Sequence, residues 1–376
     1  MVRTLAVLVL AALLRQGDEE VLALTNLRII TVTQGTIESG TIVIKGGKIA
    51  ALGADVKPPA GARVVECRGL VAFPGLVHPY SRLGLPDMPG GSGSSPLHLA
   101  YDELNPSSEA FASAARSGVT TLVLQPAGSG IAGQAAAMKP SGWTREEQVI
   151  EKTAALRILL QPGTAGKDAL RQALEAGRKA IDGEKKSPPV KPDDKGAVLA
   201  KVLKGELPAV VEVPGPGELL HFWQVLEPFA EFKPRLSVAG TPDVYKAAAE
   251  LGSRKARVLL RPMLTFAPYT RERINTAAEL VKAGAELAFA PMSDAPEALQ
   301  GYLFRVAELV KYGLPREAAL RAVTIVPAEI AGIEKRVGSL EAGKDADLLL
   351  FSGDPLSPQS RLREVYINGA PVYRGE

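Results

Sequence analysis

Phe73-Pro74-Gly75-Leu76-Val77-His78-Pro79-Tyr80-Ser81-Arg82-Leu83-Gly84-Leu85 is the stretch on which the reading of this chain turns. Its first half continues an apolar run from Leu70 to Val77, which predicts a short buried strand. Its second half leaves that strand for a polar, glycine-rich segment, and Met88 to Pro96 reads as a loop. The C-terminal end of a strand is where a parallel α/β barrel keeps its chemistry. That makes the residues from His78 to Arg82 the first place to look for a site.

On the N-terminal side, Val21 to Cys67 has a period of two rather than 3.6. Thr25 to Val32 predicts one strand, and Thr41–Ile44 with Lys48–Leu52 predicts a hairpin turning on Lys45-Gly46-Gly47. Val64 to Cys67 follows the Pro58-Pro59-Ala60-Gly61 turn. These strands are too few to close a fold. Partners are available at the other end of the chain. Arg336 to Phe351 turns at Gly343 into a strand, and Glu364 to Tyr373 is a hairpin with an Asn368-Gly369 turn.

Between these ends, residues 73–335 alternate strand-like and helix-like segments. Thr120–Leu124, Val210–Val213, Arg235–Ala239, Val258–Leu260 and Glu286–Ala290 read as strands. Ser108–Ser117, Leu219–Phe229, Leu299–Tyr312 and Pro315–Val323 read as helices. Such repetition points to a (β/α)8 barrel or a doubly wound sheet. Ile181 to Gly196, rich in Lys, Pro and Asp, reads as a solvated excursion.

Two segments resemble the amidohydrolase superfamily, the metal-dependent hydrolases related to imidazolonepropionase and dihydroorotase. The opening stretch resembles their first barrel strand, Pro-Gly-(apolar)-(apolar)-Asp-x-His-x-His-(apolar). The run Gly338-Ser339-Leu340-Glu341-Ala342-Gly343-Lys344-Asp345-Ala346-Asp347 resembles their C-terminal signature. The resemblance implies an α/β fold: a (β/α)8 TIM-like barrel over 73–335 beside a small composite β-sandwich built from 21–72 and 336–376. It also implies a zinc site, and here the ligands are replaced. His78 stands at the Asp position, and Tyr80 and Arg82 stand at the two His positions. Glu212 and Ala239 fall where later histidines are expected, while Asp294, in Ser293-Asp294-Ala295-Pro296, keeps the family's last acidic position and is the retained catalytic candidate. A guanidinium offers no lone pair to a metal, and tyrosine is a poor ligand near neutral pH. The expectation is therefore no metal and no other cofactor. A second expectation is that Arg82 takes the space and charge of the cation and pairs with Asp294, with Glu212 as a further partner.

Composition narrows the function classes. The chain has 376 residues, 46% hydrophobic and 23% charged, with a net charge of +3 from 44 basic and 41 acidic residues. That balance is too weak and too mixed to argue for nucleic acid. The lone Cys67 sits in an apolar strand and reads as a buried structural thiol. Three histidines, far apart, leave little material for a histidine-rich centre. Gly128-Ser129-Gly130-Ile131-Ala132-Gly133 matches G-x-G-x-x-G, but Pro126 and Pro140 deny it the strand–helix context a dinucleotide needs, so it reads as a loop. Met1-Val2-Arg3-Thr4 followed by the apolar Leu5–Leu14 reads as a signal peptide within 1–20 and implies export, periplasmic or extracellular. The competing reading is an N-terminal helix of a cytoplasmic protein. No other stretch is apolar enough to span a bilayer.

Three functions follow. The first is a non-catalytic homologue, a pseudoenzyme, acting in binding, in self-association or as partner of an active paralogue. The second is an active hydrolase of C–N bonds in cyclic amides, using Asp294, Glu212 and His78. The third is a small-molecule binding protein that uses the barrel mouth.

Overall fold

The computed structural model describes residues 21–86, 94–241 and 243–375. The signal-peptide reading and most of the Met88–Pro96 loop fall outside these residues. The chain enters through β1 (Leu22–Ile30), β2 (Thr36–Lys45), β3 (Lys48–Gly53), β4 (Arg63–Glu66) and β5 (Val71–Pro74). Gly46 and Gly47 both take positive φ at the β2–β3 turn, which a side chain at either position would resist. A bend at Asn26 (φ 59°) divides β1: Leu22–Thr25 pair with β4, and Arg28–Ile29 pair with β5 along the same edge.

The predicted strand from Leu70 to Val77 is in fact two strands. β5 ends at Pro74, and β6 (Leu76–Ser81) begins after Gly75 in a different sheet. Gly75 is the crossing point. A Cβ there would lie 1.9 Å from Thr120 Oγ1, so only glycine lets the chain pass this close to its neighbour.

From β6 the chain builds a second eight-stranded sheet: β7 (Val119–Leu124), β8 (Gly130–Met138), β9 (Val149–Leu159), β10 (Ala209–Glu212), β11 (Arg235–Ser237), β12 (Arg257–Leu260) and, after the small hairpin β13 (Thr265–Phe266) and β14 (Arg273–Ile274), β15 (Glu286–Phe289). Its order is β15-β12-β11-β10-β9-β8-β7-β6, and it curls until β15 lies back near β6 in a nearly closed barrel. It departs from a regular (β/α)8 barrel at β8, which is antiparallel to both β7 and β9. The supposed loop at Gly130–Gly133 therefore opens a strand. Gly133 is required there because a Cβ would sit 2.6 Å from the His98 carbonyl oxygen.

The barrel interior is aliphatic, with Ala155, Val210, Leu259, Ala288 and Ile325 in one buried cluster. Helices cover the outside through single apolar faces. The helix Gly163–Glu184 buries Leu170, Leu174, Gly177 and Ala180, at spacings of three and four. It packs on Asp194–Leu203, whose first turn is capped by Asp193 (2.7 Å to the Gly196 N–H). The solvated excursion expected over Ile181–Gly196 is thus shortened at both ends by helix.

The chain ends in β16 (Leu348–Phe351), β17 (Leu362–Ile367) and β18 (Ala370–Arg374). β16 pairs antiparallel with β5, so strands from both termini share one eight-stranded sheet, β18-β17-β16-β5-β1-β2-β3 with β4 on β1. Leu24, Ile42, Leu348 and Tyr366 form a core of their own there, while Phe73, Leu349 and Val365 join the barrel's core. Cys67 is buried in the first of these clusters; burial, then Glu364 and Glu66, push its thiol up to about 11, which makes it an inert packing group.

Candidate functional site

β6 carries the site, and an irregularity in it decides what points where. Its pairing with β7 slips between His78 and Ser81, so the strict alternation that would set residues 78, 80 and 82 on one face is broken. His78 and Ser81 are both fully buried, and Tyr80 is half-buried at the barrel mouth. Arg82 lies beyond the strand end.

Two polar groups result. In the first, Asp294 receives the Ser81 hydroxyl (2.8 Å) and the Arg82 backbone N–H (2.7 Å), and His78 Nε2 lies 3.0 Å from its Oδ1. The Tyr80 N–H points to His78 Nδ1 at 3.3 Å, which leaves the imidazole proton on the Asp294 side. The Nε2–Oδ1 contact is close, though Nε2 lacks the alignment of a regular hydrogen bond. Burial on its own would raise the Asp294 carboxyl; His78, the Arg82 amide and Ser81 outweigh it and hold the group below its ordinary value.

The second group was not legible beforehand. Arg157, on β9, is 9% exposed and donates to the Pro126 carbonyl (2.6 Å), the Tyr80 hydroxyl (2.6 Å) and Glu212 (3.2 Å). Tyr80 donates in turn to Glu212 (2.9 Å), and the guanidinium lies 5.3 Å from the Tyr80 ring centre. Burial, against the lowering effect of Arg157, pushes the Tyr80 phenol up to about 12, so it is a neutral donor and not a base at physiological pH.

The expected Arg82–Asp294 pairing is therefore corrected. The Arg82 guanidinium donates to the carbonyls of Gln125 (2.9 Å) and Pro86 (2.8 Å), where it staples the loop after β6. Only its backbone reaches Asp294. The buried cation at the mouth is Arg157, and its partner is Glu212.

These residues do not fit a divalent metal. Among the described residues, no group of three or more His, Cys, Asp or Glu side chains is placed to hold one. Arg157 places a fixed positive charge against Glu212, the carboxylate best placed at the mouth. His78 is fully buried with Nε2 on Asp294, and Tyr80 is protonated.

Beside Tyr80, which packs with Ala239 on the barrel's inner cluster, the mouth opens into a cavity of about 280 Å³. Ala239, Gly240, Leu260, Arg261 and Met292 are among its walls. It is mostly apolar, with one guanidinium at its edge.

Comparison with known proteins agrees with this architecture. A family model described as "Amidohydrolase family" matches residues 311–373. Amidohydrolase tasK of Hapsidospora irregularis is 39% identical over 74 residues, 20% of this chain and 8% of that protein. N-acetylglucosamine-6-phosphate deacetylase of Danio rerio is 42% identical over 62 residues, 16% of this chain and 14% of that one. The matched segments are thus a small part of either relative. Among solved structures, an amidohydrolase from Thermotoga maritima MSB8 superposes with a TM-score of 0.77 at 26% identity, covering 94% of this chain and 100% of that one. A molinate hydrolase at 16% identity and TM-score 0.59, covering 94% and 95%, shares the fold.

Proposed function

We propose that this chain is a member of the amidohydrolase superfamily whose barrel mouth has exchanged metal-assisted hydrolysis for the binding of a small molecule, as a non-catalytic homologue or as partner of an active paralogue. The observation that carries this reading is the Arg157 guanidinium held between Tyr80 and Glu212. An arginine fixed in the protein by three hydrogen bonds cannot lose its proton to make room for a dication. The mostly apolar cavity at the ends of β11 and β12, with Arg261 in its wall, suits a small ligand with an anionic or strongly hydrogen-bonding end. Glu212, partly exposed at the same mouth, offers an acceptor to a hydrogen-bonding end.

Metal analysis is the direct test. Protein expressed in zinc-supplemented medium and dialysed should carry far less than one zinc per chain, and its melting temperature should not respond to chelator. A site filled at a hundredfold excess over its Kd would add about 2.7 kcal/mol, which such an experiment would detect. One or more zinc ions retained per chain sinks the proposal. The second reading, hydrolysis of C–N bonds in cyclic amides, is favoured by the full-length likeness to the Thermotoga amidohydrolase. Turnover of a cyclic amide that disappears in Asp294→Asn would establish it. Export belongs to the same proposal, and N-terminal sequencing of protein recovered from the periplasm or medium tests it. Within the described residues no helix is long and apolar enough to cross a membrane.

A further inference from the structure

The end of the barrel opposite the mouth holds a second cavity, of about 610 Å³, at the starts of β11, β12 and β15. Arg257 lines it at the first residue of β12, while Leu260, at that strand's other end, lines the mouth cavity. In barrels of this kind that face is a place for packing and stability. Here its wall carries Lys233, Arg235, Arg254, Lys255 and Arg257 against Glu286.

Internal pairing accounts for two of these cations. Arg257 is bound by Glu286 (2.8 Å) and Glu329 (3.2 Å), and Arg254 by Glu250 (2.7 Å). The side chains of Lys233, Arg235 and Lys255 make no hydrogen bond or ion pair with any described residue. Solvent is a sufficient partner for the two lysines, which are exposed, but Arg235 is half-buried. Burial and then the charge of Arg257 pull its guanidinium below its usual value, and Glu334 and Glu329 offset only part of this. Trp223 lines the same cavity, with the Arg254 guanidinium 4.5 Å from its ring centre. The wall thus carries five cationic side chains against one carboxylate, and one of them, the half-buried Arg235, has no carboxylate of a described residue within 4 Å.

We propose that this cavity is a binding site for a small phosphate monoester, with Arg235 as the central contact and Lys233 and Lys255 flanking it. A dianion there would bring Arg235 a counter-ion, and guanidinium–phosphate contacts are among the strongest charge-assisted hydrogen bonds. A concave space of this size suits a metabolite rather than a polymer. The site is separate from the mouth, so it stands whether or not the reading of the mouth does.

Calorimetric titration of the full chain with inorganic phosphate, AMP and adenosine tests it. Phosphate and AMP should bind saturably at one site, more weakly as salt rises, and adenosine should not bind. Arg235→Gln should weaken AMP at least about tenfold. Lys233→Gln combined with Lys255→Gln, both at exposed positions, should weaken it comparably and serves as the deciding variant if Arg235→Gln fails to fold. Absence of saturable binding by both anions at millimolar concentration overturns the proposal. So does adenosine binding as tightly as AMP, or affinity unchanged in the folded variants.

Discussion

Arg157 is the residue that reorganises the mouth, and its geometry makes the consequences of changing it specific. One nitrogen serves the Pro126 carbonyl and another is shared by Tyr80 and Glu212. Lysine has the charge without the fork, so Arg157→Lys should satisfy at most part of this set. The expected loss is about 1–2 kcal/mol in chemical denaturation, the worth of one or two charge-assisted hydrogen bonds. An unchanged midpoint would mean that the fork contributes nothing. Asp294 gives a pH signature. Its folded carboxyl lies below its ordinary value of 3.8, so its contribution to stability is present above that value and fades as the pH falls through the lower folded value. Asp294→Asn should therefore lose stability at pH 7 and show a flatter acid limb below about pH 4. A parallel acid limb in wild type and variant would contradict the lowering of this carboxyl by His78, the Arg82 amide and Ser81.

At the scale of elements, the two sheets meet where β5 hands over to β6, and Gly75 makes the handover possible. Gly75→Ala would press a methyl group into Thr120, whose Oγ1, Cγ2 and Cβ lie 1.9, 2.5 and 2.7 Å from the added carbon. Overpacking of this kind costs about 1–3 kcal/mol. Thr120→Ala in the same chain should recover only part, because the Cβ of residue 120 stays too close. Full recovery would show that the side chain, and not the approach of the backbones, sets the limit. This junction also shows what was readable in the residues. The apolar run from Leu70 to Val77 announced buried strand but not its division, since a change of sheet at one glycine leaves hydrophobicity untouched. β8 was missed because Gln134-Ala135-Ala136-Ala137-Met138 has little intrinsic strand preference, and its burial between β7 and β9 overrides that. Arg157 was missed because an arginine in an apolar strand carries no motif; its meaning exists only once β6, β9 and β10 are side by side. Asp294, by contrast, stands out from its local context, and it lies against β6 through the Ser81 hydroxyl and the Arg82 amide rather than the Arg82 guanidinium.

For the molecule as a whole, the C-terminal signature works as a charge-lined joint between the barrel and the terminal sheet. Lys139, 1% exposed and following β8, reaches Asp345 (2.8 Å) and Asp347 (2.9 Å), and its ammonium also contacts Asn368. Asp345 is further held by Lys48 (2.9 Å) and Arg336 (2.8 Å), from opposite ends of the chain. Burial would raise the Asp345 carboxyl, but Lys139 and the other cations carry it down from its ordinary 3.8 to about 2, a displacement worth about 2 kcal/mol at neutral pH. That stability is complete above pH 4 or so and is lost as the pH falls toward 2. Asp347 works the other way: complete burial pushes its carboxyl up in spite of Lys139, so its charge depends on that lysine. Removing Lys139 should then leave a buried carboxyl that is either an unpaired anion or must take up a proton. Lys139→Met is expected to cost about 3–5 kcal/mol, the usual penalty for breaking a buried pair from one side. Asp347→Asn added to it removes that carboxyl while leaving an oxygen to accept the Asn368 N–H, now at 2.8 Å from Asp347 Oδ1, and should return more than about 1 kcal/mol. A double-mutant cycle by urea denaturation measures both. Strictly additive losses would show that the lysine and the aspartate do not act on each other, and the signature's acidic residues would then need an account other than joining the two sheets.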